Sequence, residues 1–276
     1  MLQIGRIQPL RLVRVDANQA ILQSQDERQI PMPSEQLPEG LNPGDSLEAF
    51  IYPDSQEQLV ATTHIPHAQI GQVAWLQVVA VHPIGAFLDL GIDKDVFVAT
   101  HEQYEPMHVG QSYAVFLYLD DRGRLAATPR LSEHLCAHSD YQRGQIVTGL
   151  ISARSELGYQ VAIDHQFLGM LYHNELFQRV RVGQTINAYV LKNRDDGRLD
   201  LRQQPIGDHQ LDELQQRILR KLDDDGGYLG LSDKSDPKLI AAVFGVSKGQ
   251  YKKAIGHLYR QKLIKISATG ILRYTD

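Results

Sequence analysis

Val109-Gly110-Gln111-Ser112-Tyr113-Ala114-Val115-Phe116-Leu117-Tyr118-Leu119-Asp120-Asp121-Arg122-Gly123-Arg124 reads as a glycine turn, an alternating strand and a tight hairpin turn. The Asp and Gly of the closing turn supply the positive φ that a turn between twisted strands needs. The frame returns downstream, where Val182-Gly183-Gln184 precedes Ala188-Tyr189-Val190-Leu191 and then Asp195-Asp196-Gly197-Arg198. Gly110 lies thirty-nine residues after Gly71, Gly183 thirty-nine after Gly144, and Gly44 (in Pro43-Gly44-Asp45) thirty-nine after Gly5. Three equal intervals mark an internal repeat. Between the paired glycines a glutamate recurs, as Glu35, Glu102 and Glu175, thirty or thirty-one residues after the first glycine.

Each unit reads as four or five short strands in about 65–70 residues, with period-two alternation and turn signals at regular spacing, which predicts a small closed barrel of OB type. The boundaries fall at residues 1–62, 66–130 and 140–206, with joints at His64-Ile65-Pro66-His67 and Gln204-Pro205-Ile206. From Asp208 the period changes. Leu211, Leu214, Ile218 and Leu222 predict an amphipathic helix ending at Gly226-Gly227. Asp236-Pro237 opens a second helix that stops at Gly245, and Ser247 caps a third that buries Tyr251, Ile255 and Leu258. Leu263-Ile264-Lys265-Ile266 and Ile271-Leu272-Arg273-Tyr274 then form a hairpin. Residues 208–276 therefore predict a winged helix, and the fold class is mainly β with an α/β tail.

Apolar residues make up 42% and charged residues 22% of the 276, a composition that folds rather than one that stays disordered. The N-terminus lacks the layout of a signal peptide and no stretch reaches the length of a membrane span, so the expectation is a cytoplasmic protein without a membrane partner. Cys136 is the single cysteine, which excludes an intrachain disulfide and any multi-cysteine metal site. The formal net charge of −5 is unevenly spread. Residues 1–62 carry 4 basic against 9 acidic side chains and residues 63–135 carry 4 against 8. Residues 136–207 carry 8 against 7, and residues 208–276 carry 12 against 9. From Lys234 to Asp276 the count is 9 against 2, a local +7 in an acidic chain. Positive potential is what phosphate binding requires, and it lies in the carboxyl-terminal half.

Ile84-Gly85-Ala86-Phe87-Leu88-Asp89-Leu90-Gly91 followed by Asp95-Val96-Phe97-Val98 resembles the S-one RNA-binding domain, in which a Gly-Ala-Phe strand precedes an acidic-glycine loop and a short apolar strand. The third repeat keeps the frame as Leu157-Gly158-Tyr159-Gln160-Val161 and Gly169-Met170-Leu171-Tyr172-His173. The first has Asn18-Gln19 where the glycine belongs. Three such units and a winged helix resemble the conserved virulence factor B (YitL) family of bacterial RNA-binding regulators. The resemblance implies RNA binding in gene regulation. Its two aromatic positions and one histidine position fall on Ile84, Phe87 and Ala99 in the second repeat, and on Leu157, Tyr159 and Tyr172 in the third.

A base can stack on an exposed ring whatever its identity while Arg and Lys neutralise phosphates. Tyr159 and Tyr172 are the candidate rings, with Arg154, Lys192, Arg194 and Arg198 beside them; ordinary barrel packing is the competing reading. Phe87 is a further candidate, although Phe87 and Phe97 read first as core. In the tail Lys248, Lys252, Lys253 and Arg260 lie off the apolar stripe, and with Lys262, Lys265 and Arg273 of the wing they could make one basic surface. His134 and His138, four apart, lack a third ligand at closed-site spacing, and Asp223-Asp224-Asp225 reads as a solvated helix end. No phosphate loop, serine elbow or zinc-protease motif occurs, so neither catalysis, a cofactor, a metal nor a small-molecule substrate is expected. The leading function is binding of single-stranded RNA by the third barrel and the winged helix, with little sequence selectivity. The alternatives are a duplex-DNA transcription regulator and a protein-interaction scaffold on ribosomal or RNA-decay machinery.

Overall fold

The structure, a computed structural model, describes residues 2–135, 139–176, 178–204 and 207–274, with side chains from 213 onward in the helix that begins at 207. The chain divides into two compact units, Met1–Gln203 and Gln204–Asp276.

The first unit holds three five-stranded barrels in series. Strands β1 (Ile7–Val15), β2 (Gln19–Gln23), β3 (Gln29–Pro33), β4 (Ser46–Pro53) and β5 (Leu59–Thr62) build the first. The second uses β6 (Val73–His82), β7 (Gly85–Leu88), β8 (Val96–Ala99), β9 (Ser112–Leu119) and β10 (Leu125–Thr128), and is followed by one turn of helix, α1 (Leu131–His134). The third uses β11 (Ile146–Arg154), β12 (Gly158–Ile163), β13 (Phe167–Tyr172), β14 (Thr185–Asn193) and β15 (Leu199–Arg202). In each, the first strand pairs with both the second and the fourth, so one long strand serves two neighbours. Parallel pairing of β8 with β10 and of β13 with β15 closes the second and third barrels. In the first, β3 and β5 are the ends of the ladder, and they lie alongside each other. Alternate side chains fill the interiors, among them Leu12, Ile30 and Ile51, then Leu76, Leu88 and Leu117, then Ile151, Val161 and Leu201.

The paired glycines have one structural cause. Gly5, Gly71 and Gly144 all have positive φ just ahead of the first strand, and each donates its N–H to the fourth strand, at Ile51 O, Leu117 O and Val190 O, over 2.7–2.8 Å. Gly44, Gly110 and Gly183, also at positive φ, precede the fourth strand and donate back to the first, at Leu12 O, Val78 O and Ile151 O, over 2.8–2.9 Å. Each barrel is thus stitched at both ends of its longest strand pair by a residue in a conformation that costs an L side chain about 1–2 kcal/mol.

The recurring acidic residue is a latch. Glu102 accepts from the Thr128 hydroxyl at 2.7 Å and pairs with Arg130 at 3.7 Å, while Glu175 pairs with Arg202 at 3.1 Å, so each ties the turn after the third strand to the end of the fifth. In the first barrel the latch is Gln36, which accepts from Thr62 at 2.7 Å, and not Glu35, which is exposed. Gln36 keeps the thirty-one-residue spacing from Gly5; a neutral amide serves where the partner is a hydroxyl and no arginine follows.

Joints within this unit are hydrogen-bonded. Gln69 Oε1 accepts from Ile7 N–H at 2.8 Å between the first two barrels, and His165 Nδ1 accepts from Val73 N–H at 3.0 Å between the second and third. Leu131 and Leu135 pack with Val73 and Leu168 at the latter joint. His134 stacks on Phe116 and Tyr118, which occupies its ring; Cys136 and His138 lie outside the described residues.

The second unit comprises α2 (Gly207–Asp224), β16 (Tyr228–Leu229), α3 (Pro237–Phe244), α4 (Lys248–Arg260), β17 (Ile264–Ile266) and β18 (Ile271–Arg273), with the sheet in order β16-β18-β17. The start and stop signals act as their chemistry dictates. Asp236 accepts from Lys238 N–H at 2.7 Å, Gly245 ends α3 at φ 70°, and Ser247 with Gln250 forms a capping box on α4. Ile218, Leu222, Ile240, Ile255 and Leu258 form the core around Tyr251. The Tyr251 hydroxyl donates to Leu231 O at 2.9 Å, and burial raises its pKa. Among the described residues no helix is long and apolar enough to cross a membrane.

Gly110→Ala adds a Cβ in open space and is expected to cost about 1–2 kcal/mol from its positive φ alone. Gly183→Ala carries the same backbone cost and also drives a Cβ to 2.5 Å from the Trp75 indole, so it is expected to be the more destabilising of the two. Denaturant unfolding followed by emission of the single tryptophan compares them directly.

Candidate nucleic-acid interface

Strand register decides which side chains a ligand could reach. On β7 and β8, Ala86, Leu88, Val96 and Val98 point into the second barrel, so Phe87 and Phe97, which sit opposite one another, point outward. Their rings are half-buried with centroids 5.2 Å apart. The expectation that both are core is thereby corrected: they lie on the odd register of strands whose even register fills the barrel. Gly85 makes room for them, since a Cβ there would fall 2.5 Å from the Phe97 ring.

The third barrel has the same face with other occupants. Gln160 and Met170 stand opposite each other where the second barrel has Phe87 and Phe97. Two residues along, on the same face, Gly158 faces Tyr172 where Gly85 faces Ala99. Tyr172 therefore points outward beside exposed Leu157, and its hydroxyl donates to Asp200 Oδ1 at 3.1 Å. Burial, and then that carboxylate, raises its pKa. Tyr159 alternates the other way. It shares the inward register with Val161 and Leu171, packs half-buried on the interior and meets His173 edge-on at 5.6 Å. The two tyrosines lie on opposite faces of the sheet, so they do not form one stacking platform; residue spacing alone could not separate them, because register fixes the face.

The basic residues of this barrel gather unequally. Arg194 and Arg198 flank the β14–β15 turn, Arg194 on the side of Tyr172 at 3.2 Å from Asp196 and 4.0 Å from Asp200, and Arg198 3.9 Å from Asp196. Exposed pairs of this kind contribute only about 0–1 kcal/mol, so a phosphate can draw the guanidinium groups away at little cost. Lys192 is exposed at a bulge in β14, opposite Asp200. Arg154 is exposed at the end of β11, across from Tyr159 and away from Tyr172.

In the winged helix, α4 carries Lys252, Lys253 and Arg260 exposed and Lys248 half-buried, all off the core stripe of Tyr251, Ala254, Ile255 and Leu258. Exposed Tyr259 lies on the same side. Lys252 is 3.9 Å from Asp233. The wing contributes less than its sequence predicts. Arg273 binds Asp223 at 3.0 Å and its Nη1 donates to Leu263 O at 3.5 Å, so it braces β18 against α2. Lys265 lies over the Tyr274 ring at 4.8 Å, and Lys262 is exposed in the turn after α4 at φ 58°. Of the acidic run, Asp223 and Asp225 are held by Arg273 and Lys221.

These domains define a class, tandem five-stranded barrels followed by a winged helix. An S1 domain model matches residues 4–64 and 70–130, taking in the first barrel, whose motif is the least regular, and a CvfB-like winged helix domain model matches residues 216–272. Over most of its length the chain is similar to proteins named conserved virulence factor B. It is 25% identical over 283 residues to conserved virulence factor B of Staphylococcus aureus (strain N315), covering 99% of this chain and 94% of that protein. It is 29% identical over 243 residues to the uncharacterized protein YitL of Bacillus subtilis (strain 168), covering 85% and 82%. A crystal structure of a multidomain protein with nucleic acid binding domains from Streptococcus pneumoniae is 26% identical over 98% of both chains, with a TM-score of 0.43.

Gly256 lies on the basic side of α4 with no atom within 4 Å of an added Cβ. Gly256→Ala is therefore expected to stabilise the winged helix by about 0.5–1 kcal/mol, read as a higher midpoint in a thermal melt of the full chain.

Proposed function

We propose that the protein binds single-stranded RNA without catalysing a reaction on it, through the outward face of the third barrel and the basic side of α4, and that it acts in post-transcriptional regulation in the cytoplasm. The observation that carries the reading is Tyr172 on the outside of its barrel with Arg194 beside it. A ring that faces outward can stack a base that is already unpaired, and it does little for an intact duplex. The lysines of α4 add attraction for the sugar-phosphate chain, which carries no sequence information by itself. Weak selectivity follows from stacking and charge acting without a built set of base-edge donors and acceptors.

Fluorescence anisotropy with an unstructured oligoribonucleotide tests the proposal. Tyr172→Ala is expected to cost about 1–3 kcal/mol of binding. Tyr159→Phe, on the inward face, is expected to leave affinity within twofold of the parent. Lys252→Glu combined with Lys253→Glu removes two phosphate contacts and is expected to reduce the slope of log affinity against log salt by about 1.4. Absence of binding at low salt defeats the proposal, and tighter binding to duplex DNA than to single-stranded RNA favours a DNA-reading winged helix instead.

A further inference from the structure

The outward face of the second barrel is built for a different ligand from that of the third. Phe87 and Phe97 floor a hollow of about 300 Å³ that the β4–β5 turn of the first barrel helps to wall. Ile84, 63% exposed, forms its apolar lip. The charged groups around it are Asp54, Glu57, Asp95 and Asp120 against Lys94 and Arg124. Arg124 is spent on Asp120, which it holds through Nε at 2.9 Å and Nη2 at 2.7 Å. Three carboxylates then face one ammonium, and Lys94 donates to Asp54 O at 3.3 Å. Burial, and then the charge of Asp89, raises the pKa of Asp95, and Lys94 opposes the rise.

The two barrels differ at matching positions. The turn residue that is Asp120 in the second is Arg194 in the third, where each takes the backbone N–H from three residues on in the same hairpin. At that position one turn carries a carboxylate and the other a guanidinium, and two residues on, Arg122 and Asp196 are exchanged in the opposite sense, so the turns differ in where their charges sit. A phosphate chain laid across Phe87 and Phe97 would meet Asp54, Glu57 and Asp95, and the repulsion would oppose it.

We propose that this hollow binds an arginine side chain of a basic peptide segment belonging to a protein partner, stacked on the Phe87 and Phe97 rings with its fork turned to Asp95 and Glu57. Arginine fits better than lysine because its planar, weakly hydrated group stacks on aromatic faces while its edge pairs with carboxylates. The exposed Ile84 receives the apolar part of a neighbouring peptide residue. The second barrel then holds a protein while the third holds RNA, and each function can be lost without the other.

The experiment is a calorimetric titration of the full chain with a blocked hexa-arginine peptide, repeated with hexa-lysine. Phe87→Leu with Phe97→Leu, which keeps every charge, is expected to weaken hexa-arginine binding about tenfold. Asp95→Asn, a surface change that leaves the rings in place, is expected to weaken it several-fold more than Asp16→Asn on the far hairpin of the first barrel. Both variants are expected to retain oligoribonucleotide affinity. Equal binding by parent and ring variant means that the acidic chain attracts arginine everywhere, which overturns the proposal. Loss of oligonucleotide rather than peptide affinity in the ring variant also overturns it, since the face would then be a base-stacking one. Loss of RNA binding in Tyr172→Ala bears only on the third barrel.

Discussion

Each barrel depends on a reciprocal pair of backbone hydrogen bonds made by two residues that must be left-handed. The glycine ahead of the first strand donates to the fourth, and the glycine ahead of the fourth donates to the first. This stitching fixes where the long strand bends around the barrel and where the fourth strand starts. It also explains why thirty-nine residues recur while the residues between them diverge. With the frame held by main-chain groups, the outward side chains are free to change without cost to the core. The first barrel shows the tolerance most clearly: it keeps Gly5 and Gly44, places Glu57 at φ 62° where the others use Gly123 and Gly197, and replaces an acidic latch with Gln36.

Function is then a matter of what each frame displays. The second barrel presents two phenylalanine rings with carboxylates in excess around them, and the third presents one tyrosine beside Asp200 and its partner Arg194. Charge along the chain follows the same division, acidic through residue 135 and basic beyond Lys234. For a nucleic-acid ligand this confines productive contact to part of the surface, because unpaired carboxylates raise the cost of non-productive docking elsewhere.

Much of the architecture could be read from the sequence because it depends on residues with few substitutes. Positive φ calls for glycine, Asp236-Pro237 and Ser247 sit where helix ends need acceptors, and the switch from period two to period three and four marks the winged helix. The site was less legible. Whether Tyr159 or Tyr172 faces outward depends on register within β12 and β13, and a shift of one residue inverts the answer. Phe87 and Phe97 look like core by type, and only their pairing with each other across strands whose neighbours are buried places them outside. Arg273 reads as a surface charge by type, but its partner Asp223 lies fifty residues earlier and only the fold brings the two together. The recurring glutamate is legible as a repeat but not its role, and in the first barrel Glu35 matches by type while Gln36, which makes the contact, matches by position.

Hydrogen–deuterium exchange of the full chain, with and without a saturating unstructured oligoribonucleotide, tests the division of labour most directly. Slowed exchange confined to β12, β13, the β14–β15 turn and α4, with β7 and β8 unchanged, is the predicted result. Protection that falls on β7 and β8, or that spares the third barrel, would contradict it.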